Sequence, residues 1–428
     1  MSREMRHSGI EWIGEIPKEW KPCRFKNFVE LRTEPSTSDR KVGLENIESE
    51  SGCFINTEGK FEGNGVQFIM NDILYGKLRP YLRKVWLASF DGNAVGDFYV
   101  FRAKRETSAN YIKWLFLSDG FTGAVNSSVF GAKMPRVSSD FILTLPYFLP
   151  PLSEQQKIAS YLDKVCGEVD EMIALQEQMI EELKAYKQSV ITEAVTKGLN
   201  PNVLMKDSGI DWIGEIPEHW EIVPIKHIKS KELNAFVDGP FGSNLKSEHF
   251  IENGDVLVVE SGFITTGKFI FKEFKTISKE HFETIKRSQC KAKDIIIAKI
   301  GANYGMAGEL PDLGKPSVVS GNSLKITLDN SKMLNTIFVN AMICAKNNSG
   351  FKGMVQENAQ PALSLSGLNN FKLPVPPLSE QQTIASYLDT KCSEIDALIA
   401  IKQAKIEELK EYKKSVIYEY VTGKKEVV

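Results

Sequence analysis

Thiols and imidazoles are scarce in this chain of 428 residues, which holds six cysteines and five histidines. Cys23, Cys53, Cys166, Cys290, Cys344 and Cys392 form no Cys-x-x-Cys pair, and no histidine stands at metal-ligand spacing from a cysteine. A zinc site is therefore not expected, and the thiols read as reduced and structural. No run of about 18 apolar residues occurs, so no membrane-spanning helix is expected. The opening Met-Ser-Arg-Glu-Met-Arg-His has no apolar signal core, which points to the cytoplasm. Catalytic signatures are missing too: there is no Gly-x-Gly-x-x-Gly, no Gly-x-Ser-x-Gly and no His-Glu-x-x-His. Gly262-Phe-Ile-Thr-Thr-Gly267-Lys268 has P-loop spacing, but Phe269 stands where a Ser or Thr must hold Mg²⁺. Asn200-Pro201 is followed by Asn202 and so does not make the Asn-Pro-Pro-aromatic stretch of amino-methyltransferases. The reading is a chain with no catalytic residues and no metal ligands of its own.

A surplus of positive charge is also missing, since the formal net charge is −2. That total conceals a segregation. Residues 21–150 carry 17 basic and 14 acidic side chains, and residues 221–376 carry 19 and 15. Residues 151–200 carry 5 and 9, and residues 377–428 carry 8 and 9. A phosphate backbone would be met by the two mildly positive stretches.

What is present, and abundant, is self-similarity. SGIEWIGEIPKEW at 8–20 returns as SGIDWIGEIPEHW at 208–220, and PPLSEQQKIASYLD from Pro150 returns as PPLSEQQTIASYLD from Pro376. Between them the resemblance is weaker: Asp72-Ile73-Leu74 echoes Asp294-Ile295-Ile296, and Gly96 echoes Gly321. The offset grows from 200 to 226 along the chain, as expected of one fold present twice with longer loops in the second copy.

After each Pro-Pro pair, Ser153 with Gln156 and Ser379 with Gln382 suggest capping boxes. Apolar residues then recur at steps of four and three: Ile158, Leu162, Val165, Val169, Met172, Met179, Leu183, Tyr186 and Val190. The second series is Ile384, Leu388, Ile395, Leu398, Leu409, Tyr412 and Val416. These are heptad seams, with Gln176 and Lys402 at the skipped steps. Gly198 and Gly423 suit the left-handed cap position. Each rod should be roughly 65 Å long at a rise of ~1.5 Å per residue. A single amphipathic rod that long cannot bury its stripe, so the two should pair with each other, antiparallel. Trp12, Trp20, Trp212 and Trp220 read as core anchors.

Candidate contact residues lie in the positive stretches. Tyr75, Lys77, Arg79, Arg83 and Lys84 follow the apolar Ile73-Leu74, and Lys133 with Arg136 forms a second patch. The second stretch offers Phe241, Ser243 and Asn244 in a turn-rich loop after Asp238, then Lys299, Asn303 and Tyr304, then Gln356 and Gln360. Arg and Lys serve phosphates, Arg reads guanine, and amides pair with adenine.

The duplicated Pro-Pro-Leu-Ser-Glu-Gln-Gln-x-Ile-Ala-Ser-Tyr-Leu-Asp leading long helices resembles the conserved regions of type I restriction–modification specificity subunits. Asp72-Ile-Leu-Tyr-Gly-Lys-Leu-Arg-Pro-Tyr81 with Phe98-Tyr-Val-Phe-Arg102 resembles one of that family's target-recognition domains, and Asp238-Gly-Pro-Phe-Gly-Ser243 resembles a loop of another. The resemblance implies a mixed α+β architecture: two α/β target-recognition domains joined by two long antiparallel coiled-coil helices, in a pseudo-two-fold repeat. The expected segments are an opening motif (1–20) packed near the end of the second helix, recognition domain 1 (21–150), helix 1 (151–198), a linker with the second motif (199–220), recognition domain 2 (221–376), helix 2 (377–423) and a tail (424–428). It implies a non-catalytic subunit that reads a bipartite, asymmetric site in double-stranded DNA, one half per domain, with the helices setting the spacer. The implied partners are two methyltransferase subunits and a restriction endonuclease subunit. S-adenosylmethionine, ATP and Mg²⁺ would be theirs, with no cofactor in this chain. The competing reading of the rods alone is a coiled-coil scaffold that binds other proteins.

Overall fold

The computed structural model describes residues 3–57, 61, 63, 65–129, 133–240, 242–355 and 361–427. It divides into two compact units, residues 1–179 with 401–428, and residues 180–400. The cut falls inside both long helices, so each unit contains one recognition domain and half of each rod.

In the first unit a four-stranded antiparallel sheet runs in the order Val29–Arg32, Phe98–Ala103, Ile73–Gly76, Val85–Leu87. Ile73-Leu74-Tyr75-Gly76 is buried on both faces, which is why it reads as a continuous apolar run. The two-residue period sends its side chains to opposite sides. Ile73 and Tyr75 join Phe101, Phe116 and Phe121 in the main core, while Leu74 joins Phe68, Trp86 and Val100 in a second one. A smaller sheet, Pro35–Ser36, Gly65–Phe68, Gly92–Ala94, Lys41–Val42, covers that second core, and its last pair is parallel.

The second unit repeats the plan. Its antiparallel sheet runs Phe236–Asp238, Ser323–Ile326, Ile295–Ala298, Ala307–Glu309. Ile295 and Ile297 face the main core, and Ile296 and Ala298 face the second. The covering sheet here has five strands.

The first long helix spans Leu152–Lys197 and the second Leu378–Val421. In the first unit Tyr161 lies on Tyr420 with ring centroids 4.4 Å apart, and Lys413 Nζ reaches Asp170 Oδ1 at 2.6 Å. In the second unit Lys187 Nζ reaches Asp396 Oδ1 at 2.6 Å, and Ile191 shares a core with Ile384 and Leu388. Rising numbers on one helix meet falling numbers on the other, so the pairing is antiparallel. Gly198 and Gly423 end the helices with φ of +76° and +70°. Both sit against tryptophan: a Cβ on Gly198 would lie 3.1 Å from Trp220, and one on Gly423 would lie 2.7 Å from Trp20 and Pro17.

Two expectations are corrected. Ser153 and Ser379 do not cap, because the helices already begin at Leu152 and Leu378. The Pro151 carbonyl takes the N–H groups of Glu154 and Gln155 instead. The seam also departs from a strict heptad: Met172, Tyr186, Leu398 and Tyr412 are exposed, while Cys166 and Ile180 are buried. A nearly straight helix drifts about 20° per heptad, so the buried line steps to neighbouring positions.

Trp20 and Trp220 are core residues, each donating its indole N–H to the first-turn Glu154 or Glu380 of a long helix, at 3.2 and 2.9 Å. Trp12 stacks on Tyr147 and Trp212 on Phe371. In the first unit the Tyr418 hydroxyl donates to the Ile13 carbonyl. The neighbouring glutamines, Gln155 and Gln381, are fully buried. Gln155 accepts the Ser108 N–H at 2.8 Å and donates to the Pro150 carbonyl at 2.8 Å, and Gln381 treats Leu334 and Pro376 in the same way. These amides join each rod to the recognition domain beside it.

Candidate nucleic-acid interface

In the first unit the sheet strand Ile73–Gly76 ends in a tight, unusual turn. Arg79 and Arg83 have φ of +51° and +47°, a sparsely populated region for residues other than glycine, and flank the 3₁₀ turn Pro80–Leu82. The segment before the turn is paired with a distant one: Leu78 bridges Arg136, the Arg79 N–H donates to the Pro135 carbonyl at 2.7 Å, and the Val137 N–H to the Lys77 carbonyl at 3.2 Å. The two patches read separately from the sequence thus form one surface, carrying Lys77, Arg79, Lys133 and Arg136. Tyr81 and Met134, 48% and 47% exposed, belong to it and were missed. An aromatic residue between basic ones was the available signal for Tyr81.

Three candidates leave this surface. Tyr75 is buried among Phe101, Phe116 and Phe121, and burial pushes its hydroxyl far above the usual range. Lys84 donates to the carbonyls of Leu44 and Ile47 at 2.7 Å each, and desolvation lowers its ammonium below the usual lysine value. The Arg83 side chain is 15% exposed and paired with Asp119 of the helix Asp119–Asn126. These are structural residues. The left-handed turn at Arg79 and Arg83 redirects alternate side chains, which a spacing argument from an extended strand does not see.

The second unit presents the same backbone frame. Ile300 bridges Ala362, the Gly301 N–H donates to the Pro361 carbonyl at 3.1 Å, and the Leu363 N–H to the Lys299 carbonyl at 2.9 Å. Lys299 lies beside Asp238 with its side chain 16% exposed. Asn303 is exposed, and Tyr304 is half-buried under the Lys346 ammonium, which sits 3.2 Å from its ring centroid. Ser243 and Asn244 are exposed on their loop. The Asn244 carbonyl lies 2.9 Å from His281 Nε2, and the His281 ring stacks on His249 at 3.9 Å. Phe241, Gln356 and Gln360 lie outside the described residues. Arg287, on the same side as Asp238 and Lys299, was missed because its partner is distant in sequence.

The P-loop-like stretch makes no phosphate cradle: Gly262 lies in a 3₁₀ turn and Lys268 Nζ reaches Asp396 Oδ2 at 3.2 Å. Among the described residues no group of three or more His, Cys, Asp and Glu could hold a metal ion, and no helix is long and apolar enough to cross a membrane. Burial pushes the Cys166 and Cys290 thiols up to about 12 and that of Cys23 to about 11, which keeps them protonated and unreactive.

A family model described as the type I restriction modification DNA specificity domain matches residues 17–185 and 222–411, which is most of the chain. The chain belongs to this family. Among specificity subunits, that of the type I restriction enzyme MjaVIII from Methanocaldococcus jannaschii is 26% identical over 304 residues, covering 70% of this chain and 67% of its own. That of EcoBI from Escherichia coli is 25% identical over 288 residues, covering 65% and 58%. The fold agrees with two solved chains. One, from work on complex assembly and conformational transition of the type I R-M system, has a TM-score of 0.75 at 17% identity and covers 95% of this chain and 98% of its own. The other, the HsdS subunit of Thermoanaerobacter tengcongensis, has a TM-score of 0.55 at 18% identity with the same coverage.

Proposed function

We propose that this chain is the DNA sequence-specificity subunit of a type I restriction–modification complex, each recognition domain reading one half of a bipartite, asymmetric target. One observation carries the reading: the same hydrogen-bonded frame occurs in both units with different side chains on it. Where the first unit has Arg79, Asp97 and Arg136, the second has Gly301, Asn322 and Ala362, while Lys77 and Lys299 stay. Identical frames with different surfaces are what two unlike half-sites demand. The positive balance of both domains supports phosphate contact beside base contact. The paired helices would set the spacer and dock two modification subunits, which bring S-adenosylmethionine to an adenine of each half. A restriction subunit would join them and use ATP and Mg²⁺.

The test is base-resolution mapping of methylated adenine in cells carrying this chain with its methyltransferase partner. A bipartite motif that disappears when the chain is deleted is the expected result. Methylation unchanged by the deletion would refute the assignment.

A further inference from the structure

Each candidate surface carries one carboxylate gripped by two cations. In the first unit Asp97 accepts from Arg136 through both oxygens, Nε to Oδ1 at 3.2 Å and Nη2 to Oδ2 at 3.0 Å, and Lys77 Nζ lies 3.8 Å from Oδ1. In the second unit Asp238 accepts from Arg287 Nη2 on Oδ1 at 3.2 Å and from Lys299 Nζ on Oδ2 at 3.4 Å. The lysines hold the same place in the repeat, one residue beyond the buried strands Ile73–Gly76 and Ile295–Ala298. The other members do not. Asp97 and Arg136 match Asn322 and Ala362 of the second copy, whereas Asp238 lies on a different strand, next to Ser323–Ile326, and Arg287 in a 3₁₀ turn. Common descent accounts for the lysines. It does not account for the same Lys–Asp–Arg grouping being built from different positions, which points to a shared physical demand.

That demand follows from the chemistry of a guanidinium. A lone arginine at a strand end samples many rotamers. A carboxylate bound to Nε and Nη2, as Asp97 is on Arg136, fixes the plane of the fork and leaves the Nη1 edge outward; on Arg287 the single Nη2 bond to Asp238 tethers the fork without fixing its plane. Arg136 is 38% exposed and Arg287 56%. A guanidinium edge held in one plane matches O6 and N7 of guanine in the major groove. The lysine keeps each triad at a net charge of +1, so the carboxylate does not repel the phosphates beside it. We propose that Asp97 and Asp238 are positioning residues that orient Arg136 and Arg287 to read a guanine, one in each half-site. The proposal rests on the DNA-specificity reading above and names the base class that reading leaves open.

The experiment uses the chain assembled with its modification subunits and a set of duplex oligonucleotides in which every position of the methylated motif is varied in turn. The intact complex should prefer guanine at one position of each half by about tenfold to a hundredfold, the range of a bidentate base contact. Asp97→Asn should lower that preference about tenfold in one half and leave the other unchanged, which also shows that the variant is folded. Arg136→Lys keeps the charge and loses the fork, and should remove the same preference. The double variant should be no worse than Arg136→Lys alone, because Asp97 acts through the arginine. A uniform rise in affinity for all sequences on Asp97→Asn, with base preferences intact, would overturn the proposal, as would a guanine preference that survives Arg136→Lys. A wild-type complex without any sequence preference would instead sink the DNA-specificity reading itself.

Discussion

The two recognition domains agree where buried polar groups must be satisfied and differ where side chains are free to vary. Trp20 with Glu154, Gln155 with Ser108, and Asp72 with Arg102 return as Trp220 with Glu380, Gln381 with Leu334, and Asp294 with Lys325 and Thr327. An unpaired buried amide or carboxylate is costly, so each site keeps a partner even when the partner changes. The ends of the rods differ more. Tyr111 and Tyr147 are buried with their hydroxyls 2.6 Å apart and both within hydrogen-bond reach of the Val421 carbonyl, so their two protons serve that carbonyl and the link between them. The matching residues in the second unit are Ile337 and Leu373, both buried. The frame therefore accommodates a closed polar cluster in one unit and an apolar one in the other.

The largest effect that would sharpen this comparison is an exchange of residues 21–150 for the same region of a relative. One half of the methylated motif should be replaced and the other retained; altered specificity in both halves would break the modular picture. Next come Gln155→Ala and Gln381→Ala. Each strands a half-buried backbone N–H and a buried proline carbonyl and should cost about 1–3 kcal/mol, with hydrogen-exchange protection lost in its own unit and kept in the other. Loss in both units at once would mean that the amides do not serve their local joint. Tyr147→Phe should cost about 1 kcal/mol, since Tyr111 still serves the Val421 carbonyl, and Leu373→Tyr in the second unit should cost about 1–3 kcal/mol through overpacking. Denaturant unfolding decides both, and a stabilising Leu373→Tyr would show a ready acceptor there.

The smallest effect is set by acid. Burial pushes the Asp396 carboxyl up, but the Lys187 and Lys268 ammonium groups outweigh it and hold it below the usual carboxylate range. Asp163 is held low in the first unit in the same way, by Lys113, Asn110 and Trp114. A folded value below the unfolded one gives stabilisation that is complete above about pH 4 and lost as the pH falls further. Melting temperatures over an acid series should fall less steeply for Asp396→Asn and Asp163→Asn than for the parent. Parallel curves would mean that neither carboxylate is linked to folding.

Much of the frame was legible because it is periodic or repeated. The duplicated Pro-Pro motif located both rods, and the Asp-Ile-Leu and Asp-Ile-Ile echoes marked the buried central strands. The interface was legible only in part. Lys77, Arg79, Lys133 and Arg136 stand on one surface, but Arg83 and Lys84 were drawn inward by Asp119 and by the carbonyls of Leu44 and Ile47. Those partners are 36 to 40 residues away, beyond what local spacing encodes. The same holds for Asp97 and Arg136, whose pairing appears only when residues 77–79 and 135–137 lie side by side.

One feature of the fold governs the order in which it can be made. Residues 180–400 form their unit from continuous sequence, whereas the other unit needs residues 401–428 as well as those before 180. On a ribosome adding about 5–20 residues per second, the intervening stretch takes roughly ten to forty-five seconds. Throughout that time Tyr111 and Tyr147 have been synthesised and their acceptor, the Val421 carbonyl, has not. The domain begun first is completed last, and until then its aromatic core waits with one wall missing.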